Sequence, residues 1–256
     1  MEKLLSLSSS TKKVLLGIFI IIATSFLVAF LYYNGKNRAE DPRIVQTKYM
    51  FRQYDNLMKE NQFTPAMTVL DRIDSILRIV PGYSGSYERA IVFNNRGSAY
   101  LGMALYHSSD STEKSSLLTI AKTNIDSSIS IYNNWLKKNS GLSKEELHKS
   151  VYPFFPENDP AFRGKNFKKI LQKRVEDLEA AQKETPRRLS VCYTNMGTIL
   201  RHQYKQDEAV NSYIIAIGLW KDNYTARNNF NVLMGKPPKD RSIINQLFPP
   251  DKKNYN

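Results

Sequence analysis

The hydrophobic and polar positions of this chain form one long apolar run and several helical stripes. Residues 14–33 (VLLGIFIIIATSFLVAFLYY) contain no charge. As a helix they would extend about 30 Å, which is the thickness of the hydrocarbon core of a bilayer. Beyond this run, apolar residues recur at the three- and four-residue intervals of amphipathic helices. The pattern predicts an all-α protein, in which a single N-terminal transmembrane helix precedes a body of helical hairpins.

A cleaved signal peptide is the alternative interpretation of the apolar run. Its core would be residues 14–22, with residues 23–25 (Ala-Thr-Ser) as the cleavage site. The apolar run continues to Tyr33, so cleavage would leave an apolar N terminus. Tyr32 and Tyr33 also stand where interfacial aromatic residues are expected. These features favour an uncleaved anchor in contact with the lipid bilayer.

The flanking charges are nearly balanced and do not choose an orientation by themselves. A short tail before a first apolar segment is typical of a signal anchor, which exports the part that follows. We therefore expect a single-pass protein whose body is extracytoplasmic, and periplasmic in a bacterium. The flanking basic residues are Lys3, Lys12 and Lys13 before the run, and Lys36, Arg38, Arg43 and Lys48 after it.

The clearest pattern in the body is a helix–turn–helix at residues 189–224. The apolar face of its first helix follows the i, i+3, i+4, i+7 spacing, and a polar break at 202–207 precedes the second helix. Small residues on both faces would let the two helices approach closely. The two faces comprise Tyr193, Met196, Gly197 and Leu200, and then Ala209, Tyr213, Ala216 and Leu219 or Trp220.

This unit resembles a tetratricopeptide repeat (TPR). Gly197, Ala209, Tyr213 and Ala216 have the relative spacing of that family, and Tyr193 matches its early aromatic residue. The resemblance implies stacked helical hairpins whose first helices line a groove that binds peptides or helices of other proteins.

Other segments match the TPR pattern less closely. Residues 222–230 resemble the opening of a next repeat, but Asn231 stands where the family prefers glycine, and Lys221 replaces its terminal proline. Phe93, Gly97 and Tyr100 repeat the face of a first helix. The Gly97–Ala121 step is 24 residues, against 12 for Gly197–Ala209, which predicts a longer loop or extra helical turns. Further helices are predicted at Leu117–Leu136, Tyr49–Lys59 and Pro65–Ile79, the last with Ala66, Leu70, Ile73 and Leu77 on one stripe.

The TPR resemblance also implies which residues face the groove. They are polar residues opposite the core stripe of each first helix, and the alternative is that they are ordinary solvent-facing side chains. The candidate partner-binding residues are Asn94, Ser98, Thr194, Thr198, Arg201 and Asn228.

A proline-rich segment interrupts the hairpins at residues 139–164. Ser143 and Glu146 have the spacing of a capping box, which predicts a short helix through about Ser150. The prolines that follow prevent continuous helix. The aromatic side chains of this loop either contact a partner or pack against neighbouring helices; these loop contact candidates are Tyr152, Phe154 and Phe155.

The predicted organisation has seven parts. They are an N-terminal tail (1–13), the transmembrane helix (14–33), a linker (34–43), irregular TPR-like hairpins (44–138), the proline and aromatic insertion (139–164), a helix at 166–184 followed by the TPR-like repeat (165–235), and a C-terminal tail (236–256).

Basic residues dominate the charge of the chain, whose net value is +13. One cluster, at residues 165–174, falls on a predicted helix that also carries acidic residues. It is either a solvated face or a surface for anionic lipid headgroups or an acidic partner. The basic residues form no DNA-reading motif, and the aromatics have the spacing of core residues. We therefore expect no nucleic-acid partner.

The sequence contains none of the familiar catalytic motifs. A phosphate-binding glycine loop, a zinc-binding helix with paired histidines and a serine nucleophile elbow are all missing. The single cysteine, Cys192, allows neither an intrachain disulfide nor a cysteine metal cluster, and its position suits a packed side chain. We therefore expect no catalytic residues, no metal and no cofactor.

Three functional classes follow from these features. The first is a membrane-tethered scaffold or adaptor that uses a TPR-like groove to assemble a membrane or envelope complex with other proteins. The second is a constitutive structural subunit of a large membrane machine. The third, an enzyme with a dispersed site, is less favoured because no motif supports it.

Overall fold

The computed structural model describes residues 8–37 and 39–239, and all its regular elements are helical. The all-α prediction is confirmed. Residues 1–7 of the predicted tail, Arg38 in the predicted linker and residues 240–256 of the predicted C-terminal tail lie outside the described ranges. The helices are α1 (Ser9–Asn37), α2 (Val45–Lys59), α3 (Phe63–Ile79), α4 (Tyr87–Tyr106), α5 (Ser111–Asn139), α6 (Lys144–Val151), α7 (Phe167–His202), α8 (Gln206–Leu219) and α9 (Tyr224–Leu233), and 3-10 turns at Tyr152–Phe154 and Pro160–Phe162 lie between α6 and α7.

Helix α1 is long and apolar enough to cross a membrane. Its span Ser10–Phe30 has a mean hydropathy of 2.4, and none of it is buried against the rest of the described chain. The hydroxyls of Thr24 and Ser25 donate to backbone carbonyls one turn earlier, at 2.8 Å each. The polar groups of these two residues are therefore satisfied within the helix, as an apolar environment requires.

Helix α1 also continues past the end of the apolar run. It ends at Asn37, so it includes the first residues of the segment predicted as a linker, among them Gly35. An isolated glycine costs a helix only about 1 kcal/mol, which does not by itself end it. The non-helical connection between α1 and α2 is correspondingly shorter than predicted.

Consecutive helices in the body pack in pairs, α2 with α3, α4 with α5 and α7 with α8. The predicted stripe of α3 is confirmed, since Ala66, Leu70, Ile73 and Leu77 are all fully buried. The long step between Gly97 and Ala121 comes from extra helical turns, because α4 and α5 are separated only by residues 107–110. The short helix predicted from the capping box is α6, which Ser143 and Glu146 cap reciprocally.

Helix α7 combines two segments that the sequence predicts as separate. It runs from Phe167 to His202 without a break and contains Pro186. A proline inside a helix costs about 3 kcal/mol or more, because it removes one hydrogen bond and crowds the preceding turn. Each half of α7 buries its own apolar stripe, which offsets that cost. Ile170, Leu171, Val175, Leu178 and Ala181 precede the proline, and Leu189, Cys192, Met196, Ile199 and Leu200 follow it.

These two stripes belong to different cores. The N-terminal half of α7 packs in a core with α2, α3, α6 and the insertion, whereas its C-terminal half packs with α4, α5 and α8. Helix α7 therefore joins the two halves of the body.

Two glycines set how closely paired helices approach. A Cβ atom at Gly197 would lie 2.6 Å from the Tyr213 ring, and one at Gly97 would lie 2.5 Å from Ile125 Cδ1. Tyr213 and Ile125 are fully buried, so a shift of either side chain would disturb its packing. The absence of a side chain at each glycine thus allows α7 to meet α8 and α4 to meet α5.

We expect Gly197→Ala to destabilise the body by about 1–3 kcal/mol, because the added methyl group overpacks the Tyr213 contact. The matched control is Gly218→Ala in α8, where an added Cβ would meet no atom within 4 Å. That change should be neutral or stabilise by up to about 1 kcal/mol, because alanine favours helix. Urea unfolding of the two variants measures the difference, and an equal effect of both substitutions would contradict this account of the helix contact.

Candidate functional site

Most of the residues predicted to line the groove form hydrogen bonds between neighbouring helices. Asn195 of α7 donates its amide to Asn94 Oδ1 at 3.1 Å and to Ser98 Oγ at 3.0 Å, both on α4. All three residues are half-buried. The amide of Asn195 therefore connects the first helices of two successive hairpins.

An equivalent bond connects α7 to α9. Asn229 Nδ2 donates to Thr198 Oγ1 at 3.2 Å. Asn195 and Asn229 are 34 residues apart in the sequence, and each acceptor hydroxyl, on Ser98 or Thr198, directly follows the glycine of its helix. The two bonds are thus made by residues in corresponding positions of successive units. We call this set of amide–hydroxyl bonds the asparagine ladder.

Asn223 adds a buried bond of the same kind. It is only 3% exposed, and its amide donates to Ser190 Oγ at 2.8 Å and to Thr194 Oγ1 at 2.9 Å. Its own oxygen accepts the backbone N–H of Ala226 at 3.0 Å and thereby caps α9. Thr194 is consequently buried, and its prediction as a residue of the groove surface is wrong.

The remaining predicted groove residues differ in what they leave free. The Asn228 side chain both donates to and accepts from the backbone of Lys239, at 3.0 Å each, so it holds the segment after α9. Arg201 is half-buried and forms no ion pair within the described ranges. Of the predicted set, Arg201 is the charged group that remains available to a partner.

Arg201 borders a basic pocket at the junction of α5 and the end of α7. Lys114, His202 and Lys205 line the same cavity of about 460 Å³. Lys205 lies 3.8 Å from Glu208, whereas Lys114 has no acidic partner in the part of the chain that the structure describes. The pocket therefore concentrates positive charge, and we refer to it as the basic pocket.

The pKa of His202 depends on its partial burial and on the charge of this pocket. Its position at the C-terminal end of a helix predicts that the helix dipole favours protonation. The structure reverses that expectation, because partial burial and the nearby charges of Arg201 and Lys114 lower the pKa of His202. Burial, the larger cause, and the positive charge of the pocket thus both favour the neutral imidazole.

The insertion presents two of its three predicted contact residues. Tyr152 is 52% exposed and Phe154 45% exposed. Phe155 is only 2% exposed, so its prediction as a surface contact is wrong. Its ring stacks on Phe162 at 5.9 Å, and the guanidinium of Arg43 lies 4.3 Å above it.

Arg43 fastens the segment after α1 to this insertion. Its guanidinium donates to the backbone oxygen of Phe154 at 2.9 Å and lies 3.7 Å from the Asp159 carboxylate. On the other side it pairs with Asp41 at 2.8 Å. Residues distant in sequence are therefore held together at the point where the chain leaves α1.

A buried ion pair extends this network into the body. Arg174 of α7 is 6% exposed, pairs with Glu88 of α4, and lies 4.2 Å from the centre of the Tyr83 ring. The Tyr83 hydroxyl in turn donates to Asp41 at 3.0 Å. Burial opposes ionisation of Glu88, but the charge and the hydrogen bond of Arg174 outweigh it and lower the pKa of the Glu88 carboxyl.

The single cysteine is a packed core residue, as its position predicts. Cys192 is fully buried, and its thiol lies 3.4 Å from the Ser128 hydroxyl. Burial raises the pKa of the Cys192 thiol to about 12, which disfavours the nucleophilic thiolate.

No known family model, curated protein sequence or solved structure matches the chain.

We expect Glu88→Gln to destabilise the protein by about 3–5 kcal/mol at neutral pH, because it leaves the Arg174 charge buried without a counter-charge. The folded-state pKa of Glu88 is lowered, so the unfolded chain takes up this proton first as the pH falls. The stability that Glu88 provides is therefore lost as the pH falls below about 4.5, its ordinary value. The difference between wild type and variant should shrink in that range.

Denaturant unfolding across this pH range, followed by tryptophan fluorescence, measures the effect. The control is Asp126→Asn, which breaks the exposed 2.8 Å pair with Lys122 and should change the unfolding free energy by no more than about 0.5 kcal/mol. An equal response of the two variants at neutral pH would rule out a special role for the buried pair.

Proposed function

We propose that the chain is a membrane-tethered scaffold or adaptor that binds other proteins through the first helices of a TPR-like array. Two features support the tether: the length of α1 and its uninterrupted apolar surface. The array is supported by the paired helices and by the asparagine ladder, in which residues 34 positions apart form equivalent bonds. We propose further that α1 stays uncleaved and that the body is extracytoplasmic.

The observation that carries the binding proposal is the basic pocket next to the ladder. Arg201 lies one helical turn after Thr198 of the ladder. Burial raises the pKa of the neighbouring Tyr213 hydroxyl, and the hydrogen bond with Thr198 and the charge of Arg201 partly offset that rise. The ladder residues use their hydrogen-bonding groups to hold neighbouring helices together. Arg201 and Lys114, in contrast, form no ion pair in the described part of the chain, so their charged groups are available to a partner. A partner segment that carries aspartate or glutamate fits this surface, since the cationic groups of Arg201 and Lys114 in the basic pocket can pair with the acid.

A co-purification experiment tests this proposal. The full-length chain is extracted in mild detergent, and the proteins recovered with it are quantified by mass spectrometry. Reversing a charge that contacts an acidic group should weaken binding by about tenfold or more. We therefore expect Arg201→Glu and Lys114→Glu each to reduce recovery of the principal partner to that extent.

The matched control is Lys183→Glu, an equal charge change at an exposed position of the same helix α7. It should leave recovery unchanged. Unaltered recovery with both pocket variants would contradict the site, and substrate turnover by the body alone would contradict the scaffold function. Variable partners in sub-stoichiometric amounts are expected for an adaptor, whereas a single fixed ratio would instead identify a constitutive subunit.

A further inference from the structure

We propose that one face of the body rests against the anionic headgroups of the membrane that holds α1. This face consists of α6, the part of the insertion that follows it (residues 152–164) and the first turns of α7. We call this face the insertion face. The proposal depends on the membrane tether described above and adds to it a second, peripheral contact with lipid.

A short connection joins the end of α1 to the insertion. Arg43 follows the last residue of α1, Asn37, by six residues. Six residues span at most about 20 Å even when fully extended. Because Arg43 Nη1 donates to the backbone oxygen of Phe154 at 2.9 Å, Phe154 lies within that backbone distance plus the length of one arginine side chain and one hydrogen bond from the end of α1.

The insertion face contains an apolar groove and exposed aromatic side chains. The exposed Tyr152 borders a groove of about 720 Å³ between α6 and α7, the largest of the cavities described here, and its ring stacks on His148 at 5.8 Å. Phe167, Leu171 and Val175 contribute to the same groove. Leu171 and Val175 are buried and form the floor of the groove, whereas Tyr152 and the nearby Phe154 are exposed. Exposed tyrosine and phenylalanine are typical of segments that lie at the boundary between headgroups and acyl chains.

The insertion face carries an excess of basic residues. Residues 144–173 contain seven lysines and arginines but four aspartates and glutamates. Lys144, Lys149 and Lys168 border the same groove as Tyr152, against Glu145 and Glu157, so basic groups are in excess on the face that carries the aromatic ring. Lys165 and Lys169 are also exposed, near the start of α7. Lysines in this arrangement are attracted to anionic lipids and leave the aromatic rings free to enter the interface.

Lipid-dependent quenching of a fluorescent probe tests the proposal on the full chain. The protein is reconstituted in nanodiscs with or without phosphatidylglycerol, and Tyr152→Cys carries an environment-sensitive dye. The control is Ile214→Cys on α8, because Ile214 and Tyr152 are both 52% exposed. Wild-type protein measures background labelling, which buried Cys192 should keep low. Lipid spin-labelled near the headgroup is the quencher.

We expect strong quenching of the Tyr152 probe in anionic discs and little quenching of the Ile214 probe. Each of Lys149→Glu and Lys168→Glu should reduce the quenched population by about fivefold, whereas Lys183→Glu should not. Raising the salt from about 0.1 M to about 1 M shortens the Debye length from about 10 Å to about 3 Å and should also reduce quenching.

The outcomes separate this proposal from the proposed function. Loss of the protein from the discs on an alkaline wash would show that α1 is not an anchor, which removes both. Stable anchorage with equal quenching of the two probes would overturn the lipid contact alone. A Tyr152 probe that is protected from solvent only when a partner protein is added would also overturn the lipid contact. If quenching depends neither on the lipid charge nor on the two lysine substitutions, the proposed contact with anionic headgroups is contradicted.

Discussion

The buried guanidinium of Arg174 is the interaction on which the arrangement of the body depends. A charge in this position is tolerated only with a close counter-charge, and Glu88 supplies it through an ion pair and a hydrogen bond to one of its carboxylate oxygens. That requirement fixes α7 against the start of α4. Through Tyr83 and Asp41 the same network reaches Arg43 and the insertion, so a single buried charge constrains the two cores and the exit from α1 together.

Helix α7 transmits this constraint along the molecule. Its N-terminal half carries Arg174 into the core shared with α2, α3 and α6, and its C-terminal half carries Asn195 and Thr198 into the asparagine ladder. The ladder uses the polar groups of adjacent first helices for stacking. Under the proposed function, the surface left to a partner is therefore the basic pocket around Arg201.

Local periodicity was sufficient to predict the helices and much of the core. The stripe of α3, the capping box of Ser143 and the close approach at Gly197 all depend on residues within a few helical turns, and the structure contains each of them. The groove candidates were placed on the correct helices, but spacing alone could not show that Asn223 would bury Thr194.

The features that the sequence did not predict depend on contacts between distant residues. The continuity of α7 through Pro186 follows from burial in two separate cores, and the burial of Phe155 follows from Arg43, more than a hundred residues earlier. Asn195 was overlooked because its role requires α4 beside α7. A signal was present in the 34-residue spacing of Asn195 and Asn229, which pairs corresponding positions of successive units.

Amide hydrogen exchange on Asp41→Ala tests most directly whether one network couples the segment after α1 to the insertion. Asp41 accepts hydrogen bonds from the Arg43 side chain and backbone and from Tyr83. The account predicts faster exchange both at residues 43–45 and in the insertion, where Phe155 and Phe162 donate to nearby carbonyls, with α8 and α9 unchanged. Faster exchange confined to residues 43–45 would contradict the coupling.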